Sequence, residues 1–203
     1  MLFSTVIFGW IGILIFLLIL FNFKKMAKNN EYALMHLMQA IMYAMWLPLP
    51  LVLYQLLDSD ILFVGSVFGS VYLILLVAGM ALQTGHLAFI SKHNEDKKIS
   101  DSQANYMMAT LSHPYEGFVN VFKCLWAIFL GLSFWQKGEG IMAMIMFLFG
   151  LFIIYYLIII LDASLVKRVT LFKKIKPNTV LVNLETFLFF LTLIIYITFI
   201  FGS

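Results

Sequence analysis

The chain has 203 residues, 63% of them hydrophobic and only 11% charged, against roughly 25% charged in soluble globular domains. A core surrounded by water cannot hide so much apolar surface at this length, which argues against a soluble enzyme or binding domain. The net charge of +3 is concentrated in short polar gaps, so it reads as an orientation signal and not as a nucleic-acid footprint.

A helix that crosses ~30 Å of hydrocarbon needs ~20 mostly apolar residues and satisfies its own backbone hydrogen bonds. Six segments meet that condition: about 2–22, 34–57, 61–85, 115–135, 141–161 and 179–201. The expected fold is therefore all-α: a polytopic membrane protein in which residues 1–203 form one bundle of six transmembrane helices. A transmembrane β-barrel needs ~10-residue stretches of alternating polarity, whereas 11–21 and 141–161 are almost continuously apolar.

Three gaps hold nearly all the basic residues. They carry Lys24, Lys25 and Lys28 (23–33), Lys92, Lys97 and Lys98 (86–115), and Lys167, Arg168, Lys173, Lys174 and Lys176 (162–177). They fall at every second connection, and the other two connections share only Lys137. By the positive-inside rule the basic gaps face the cytoplasm and both termini are extracytoplasmic. The expected location is the plasma (inner) membrane, as a multi-pass protein. A preference for Lys, Ile and Phe over Arg hints at an AT-rich, bacterial genome.

The first predicted helix is apolar on all sides, with Trp10 near its outer end, and is expected to face lipid. Lys24 and Lys25 follow the apolar run, the reverse of a secretory signal, so it reads as a retained helix. The second helix enters with His36 and Gln39 and carries Trp46, Leu47, Pro48, Leu49 and Pro50 in its outer half. Each proline removes a backbone donor, so a kink or break is expected near 46–50. The third helix opens with Gly65, Ser66, Gly69 and Ser70, small residues that let another helix approach closely. That face is the expected docking surface for a partner, with the cytoplasmic loop at about 91–114 as the other.

The loop contains a candidate surface helix near 100–111 and leads to Ser112, His113 and Pro114, a helix-start signature for the fourth helix. Trp135 ends that helix as an interfacial anchor. The stretch 166–176 interleaves apolar residues with Lys167, Arg168, Lys173, Lys174 and Lys176. It is expected to lie on anionic lipids of the cytoplasmic leaflet, at ~1 kcal/mol per basic side chain.

Ionisable side chains within a span are costly and are candidate functional groups by default. Lys123 and Glu185 lie at similar depth from the cytoplasmic side, and Glu116, Asn120 and Lys123 share one helical face. These four form the candidate polar intramembrane cluster, with Asn183 adding to the last helix's side. They suit either an ion or proton path or a purely structural ion pair. His36, His86 and His113, with His93 and Glu116, supply ligand types for zinc or iron, and His36 with His86 those for a b-type haem. No repeated histidine box accompanies them, however, and histidines gather by default in the only long polar segments available. No cofactor is therefore the leading expectation. Cys124 is the only cysteine, which rules out an internal disulfide or a thiolate cluster.

Three functions follow. The first is a non-enzymatic subunit, scaffold or accessory component of a membrane complex, whose partners are the lipid bilayer, other membrane subunits or a second copy, and not nucleic acid. The second is a small transporter or channel built on the broken second helix and the Glu116, Asn120, Lys123 and Glu185 cluster. The third is a membrane-embedded metal- or haem-dependent enzyme at the cytoplasmic face.

Overall fold

The computed structural model describes residues 1–93, 102, 103, 105–107, 110, 113–165 and 178–202, without the side chains of His93 and His113. Seven helices make up most of this: α1 (Leu2–Lys28), α2 (Tyr32–Trp46), α3 (Leu49–Leu57), α4 (Asp60–His93), α5 (His113–Gln136), α6 (Gly140–Ser164) and α7 (Thr179–Gly202). With α2 and α3 taken as one broken rod, six helices are long and apolar enough to cross a membrane. No strand occurs among the described residues.

Two helices overrun their predicted ends by more than one turn. α1 continues to Lys28 and α4 to His93, because Lys and His are compatible with helix and nothing in those stretches breaks it; hydropathy marks where a helix leaves hydrocarbon, not where it stops. The loop predicted at 91–114 is shorter at both edges. Of the candidate surface helix, Ser102, Gln103 and 105–107 are helical. The basic segment with Lys167, Arg168, Lys173, Lys174 and Lys176, together with Lys97, Lys98 and Ser112, lies outside the described residues.

Successive rods run antiparallel. Phe3 meets Phe201 and Phe16 meets Phe187 across α1 and α7, while Phe149 meets Phe189 across α6 and α7. The bundle thus has a basic end, where α1 turns into α2, and an opposite end holding both termini and the turns near 58–59 and 137–139. Asp58 (φ 40°) and Gly138 (φ 79°) take left-handed conformations in those two turns.

Side-chain size sets the packing of α4 on α5. Added Cβ atoms at Gly65, Gly69 and Gly79 would stand 2.4, 2.5 and 2.5 Å from Phe129, Trp126 and Tyr115. Three notches on α4 therefore receive three aromatic side chains of α5, and the Tyr115 hydroxyl donates to the Leu75 carbonyl. The same principle joins α5 to α6 reciprocally: Phe147 sits on Gly131, and Ile128 on Gly150. The Gly65 and Gly69 face is thus the close-packing face that its small residues predict, and the helix that approaches it is α5 of the same chain.

The expected break in the second rod is present. Pro48 cannot donate to Ala44, so Leu47 N–H takes that carbonyl at 3.3 Å in a tighter turn. The Pro50 carbonyl accepts the Ser66 hydroxyl at 2.9 Å. α1, expected to face lipid, also supports this break from its inner side: Trp46 lies fully buried against Gly12, donates to the Gly9 carbonyl at 3.2 Å and stacks on Phe190 at 4.0 Å.

The outward face is apolar. On α6 it forms a helical stripe of Ile141, Met144, Leu148, Leu151 and Ile154, all exposed. At the end opposite the basic one, Lys137 reaches the Leu56 carbonyl at 2.9 Å. The one basic residue that departs from the charge alternation thus caps the C-terminus of α3, where the helix dipole favours a cation.

Candidate functional site

Two of the four residues predicted to cluster within the spans meet directly. The Lys123 ammonium on α5 pairs with Glu185 Oε2 on α7, and both side chains are almost wholly enclosed, at 1% and 2% exposed. The ammonium also donates to Thr186 Oγ1 at 2.8 Å. From α6, the Tyr156 hydroxyl donates to the same carboxylate oxygen at 3.0 Å. The Lys123 nitrogen stands 5.4 Å from the Tyr156 ring centre and 5.7 Å from that of Tyr72 on α4, within range of cation–π attraction. Four helices thus converge on one neutralised charge pair.

The local reason is helical register. Along α7, Glu185, Thr186, Phe189, Phe190, Leu193, Ile194 and Ile197 form the buried stripe, so Glu185 lies on the inward face next to the aromatic layer. Lys123 sits one turn before the fully buried Trp126 on α5. Asn183, expected on the same side as Glu185, is exposed instead, since two residues along a helix is about 200° of rotation.

Asn120 is buried but bonds locally, its amide N–H donating to the Glu116 carbonyl at 2.7 Å. Glu116 is half-buried in the first turn of α5. Three buried polar atoms among the described residues that reach no hydrogen-bond partner at bonding distance are Glu185 Oε1, Asn120 Oδ1 and Trp126 Nε1. Gln83 on α4 lies beside the His36 ring of α2.

The histidines are placed separately. His36 is half-buried on α2 with Nδ1 at 2.8 Å from the Tyr32 carbonyl, and His86 is exposed on α4. His113 is the first residue of α5. Among the described residues, no group of three or more His, Cys, Asp or Glu side chains is arranged to hold a metal ion.

Tyr156, Thr186 and Tyr72 were not singled out from the sequence. A signal existed for Tyr156, since Tyr155 and Tyr156 are the only hydrogen-bonding side chains between Gly140 and Asp162 on α6. Thr186 and Tyr72 gave none, because a threonine or tyrosine in a span ordinarily bonds its own helix or packs. Two apolar grooves, of about 360 and 620 Å³, open on the outer surface at Ile128, Phe147 and Gly150, and at Trp10, Thr198 and Phe199; neither is lined by the charge pair.

No family model matches the sequence, and no curated protein or solved structure matches it.

Proposed function

We propose that this chain is an integral protein of a bacterial plasma membrane. Its six spans insert with the basic end in the cytoplasm and both termini outside, and it serves as a non-enzymatic subunit, scaffold or accessory component of a membrane assembly. The observation that carries this reading is the use made of the only two charged residues at mid-span. Lys123 and Glu185 neutralise each other inside a close-packed aromatic core, where they tie α5, α6 and α7 together. A pair so enclosed supports a fixed shape. The exposed apolar stripe on α6 is then available to lipid or to another subunit, and the basic segment 166–176 to anionic headgroups.

Extraction of the tagged chain from native membranes in mild detergent tests the assembly. A second membrane protein in fixed stoichiometry is the expected result, and a chain recovered alone at native expression level contradicts it.

One observation favours the transport reading as an alternative. Glu185 Oε1 is a buried carboxylate oxygen with no partner at bonding distance, and such groups recur on ion and proton routes. Solute flux into proteoliposomes, lost in Glu185→Gln, would establish that reading over the first.

A further inference from the structure

α1 and α7 lie side by side through Phe3 against Phe201, Phe16 against Phe187, and a hydrogen bond from Trp10 Nε1 to Thr198 Oγ1 at 3.1 Å. On the outward side of that seam, toward the end that holds both termini, they leave a groove of about 620 Å³ lined by Trp10, Ile195, Thr198, Phe199 and Gly202. Its indole N–H is satisfied by Thr198, whose own hydroxyl donates to the Ile194 carbonyl at 2.6 Å. The groove therefore offers little to a polar ligand and suits an apolar side chain.

Such a side chain stands on its rim, since Phe199 is 76% exposed. We infer that this face pairs with a second copy of the chain, each copy's Phe199 ring entering the other's groove beside Trp10. Two copies inserted the same way round can be related by a twofold axis along the membrane normal, which makes the contact isologous. That axis keeps every residue at its own depth, so a ring can enter only a groove at its own level. Phe199 meets this condition, because it lies within the stretch 195–202 that lines the groove, and Trp10 is level with Thr198 through their hydrogen bond.

The flanks extend the contact. Phe3, Ile7, Trp10 and Leu14 recur every three or four residues along α1 and are all exposed, as are Ile195 and Phe199 on α7. With the exposed side chains around them they present on the order of 800 Å², the share that each partner gives to a standard-size interface. In lipid the gain on association comes from close packing more than from area, and a rigid ring seated against an indole supplies that packing. Pairing through this face leaves the α6 stripe to lipid or to another subunit.

The inference adds a second copy to the assembly proposed above and rests on the same insertion. Its test uses the full chain carrying Cys124→Ala and Lys25→Cys, labelled with donor or acceptor dye and placed in liposomes over a range of protein-to-lipid ratios. Energy transfer should rise to saturation and vary linearly with acceptor fraction, as a dimer requires. Phe199→Ala should weaken association at least ~10-fold, as truncation of a central aromatic anchor does. Gly202→Leu should weaken it similarly by filling the groove, where an added Cβ meets nothing within 4 Å, and Leu148→Ala on α6 should leave it unchanged. Phe199 and Gly202 are both exposed, so parent-like thermal melts are expected of both variants.

A monomer at every density, a larger oligomer, a dimer that either groove substitution leaves intact, or one that Leu148→Ala weakens equally overturns the inference. A monomer that carries a co-purified lipid, lost in Phe199→Ala, assigns the groove to lipid instead. Infrared dichroism of the same lipid and protein on a flat support reports whether the helices cross. Helices lying flat overturn insertion together with pairing, whereas crossing helices in a monomer overturn pairing alone.

Discussion

The Tyr156 hydroxyl donates to Glu185 at 3.0 Å, so the carboxylate on α7 is held from α6 as well as from α5. The Lys123 bond is charge-assisted and the Tyr156 bond is not, which sets an order of severity. Removing one member of a buried ion pair leaves the other uncompensated, at ~3–5 kcal/mol. Lys123→Met and Glu185→Leu should each destabilise the chain by about that amount, whereas the double variant should recover most of the loss. Unfolding in mixed micelles measures all three, and equal destabilisation of single and double variants would show that the pair is not coupled.

Tyr156→Phe removes only a neutral donor. The expected loss is ~0.6 kcal/mol and at most about 1.7, the range of inter-helix hydrogen bonds in membranes. The same unfolding assay applies, and a loss as large as that of Lys123→Met would mean that the hydroxyl, not the ammonium, holds the carboxylate.

Gly12 has no space for a methyl group. A Cβ there would stand 2.2 Å from Trp46 Nε1, and the indole cannot retreat because Phe190 stacks on it and the Gly9 carbonyl holds its nitrogen. Gly12→Ala should cost ~1–3 kcal/mol, as overpacking does. Gly140→Ala, where a Cβ meets nothing within 4 Å, should change little. Thermal melts of the two variants in detergent distinguish them, and equal melting points would contradict the close approach of α1 to α2.

Ser66→Ala removes the hydroxyl that ties α4 to the Pro50 carbonyl at the start of α3. An inter-helix hydrogen bond of this kind is worth ~0.6 kcal/mol on average and at most about 1.7 in membranes. The expected result is a lower unfolding midpoint, with Ser66→Thr, which keeps the hydroxyl, closer to the parent. A parent-like Ser66→Ala midpoint would show that the break is stable without it.

Much of this architecture could be read from the chain because two strong signals are local. Runs of apolar residues located the six rods, and Pro48 with Pro50 located the break. The pairing of Lys123 with Glu185 was accessible for a related reason: mid-span charges are few, and only those two share a depth. Inner faces were not accessible. α1 is apolar all round, so nothing in its composition distinguishes the side of Gly9 and Gly12 from the side of Leu14 and Phe21. Those glycines matter through what fills them, and the filling residues, Ile194 at Gly9 and Trp46 at Gly12, lie more than thirty positions away in sequence. In the same way Gly65 and Gly69 announced a packing face but not its occupants, which are Phe129 and Trp126 of the same chain.

The arrangement depends most on insertion with alternate connections on opposite sides of a bilayer. Replacing the lone Cys124 by Ala and adding single cysteines at Lys25, Lys92 or Lys137 allows labelling of intact cells with a membrane-impermeant maleimide. Labelling at position 137, with positions 25 and 92 protected until the membrane is opened, is the predicted result; labelling of 92 and 137 from the same side would contradict it.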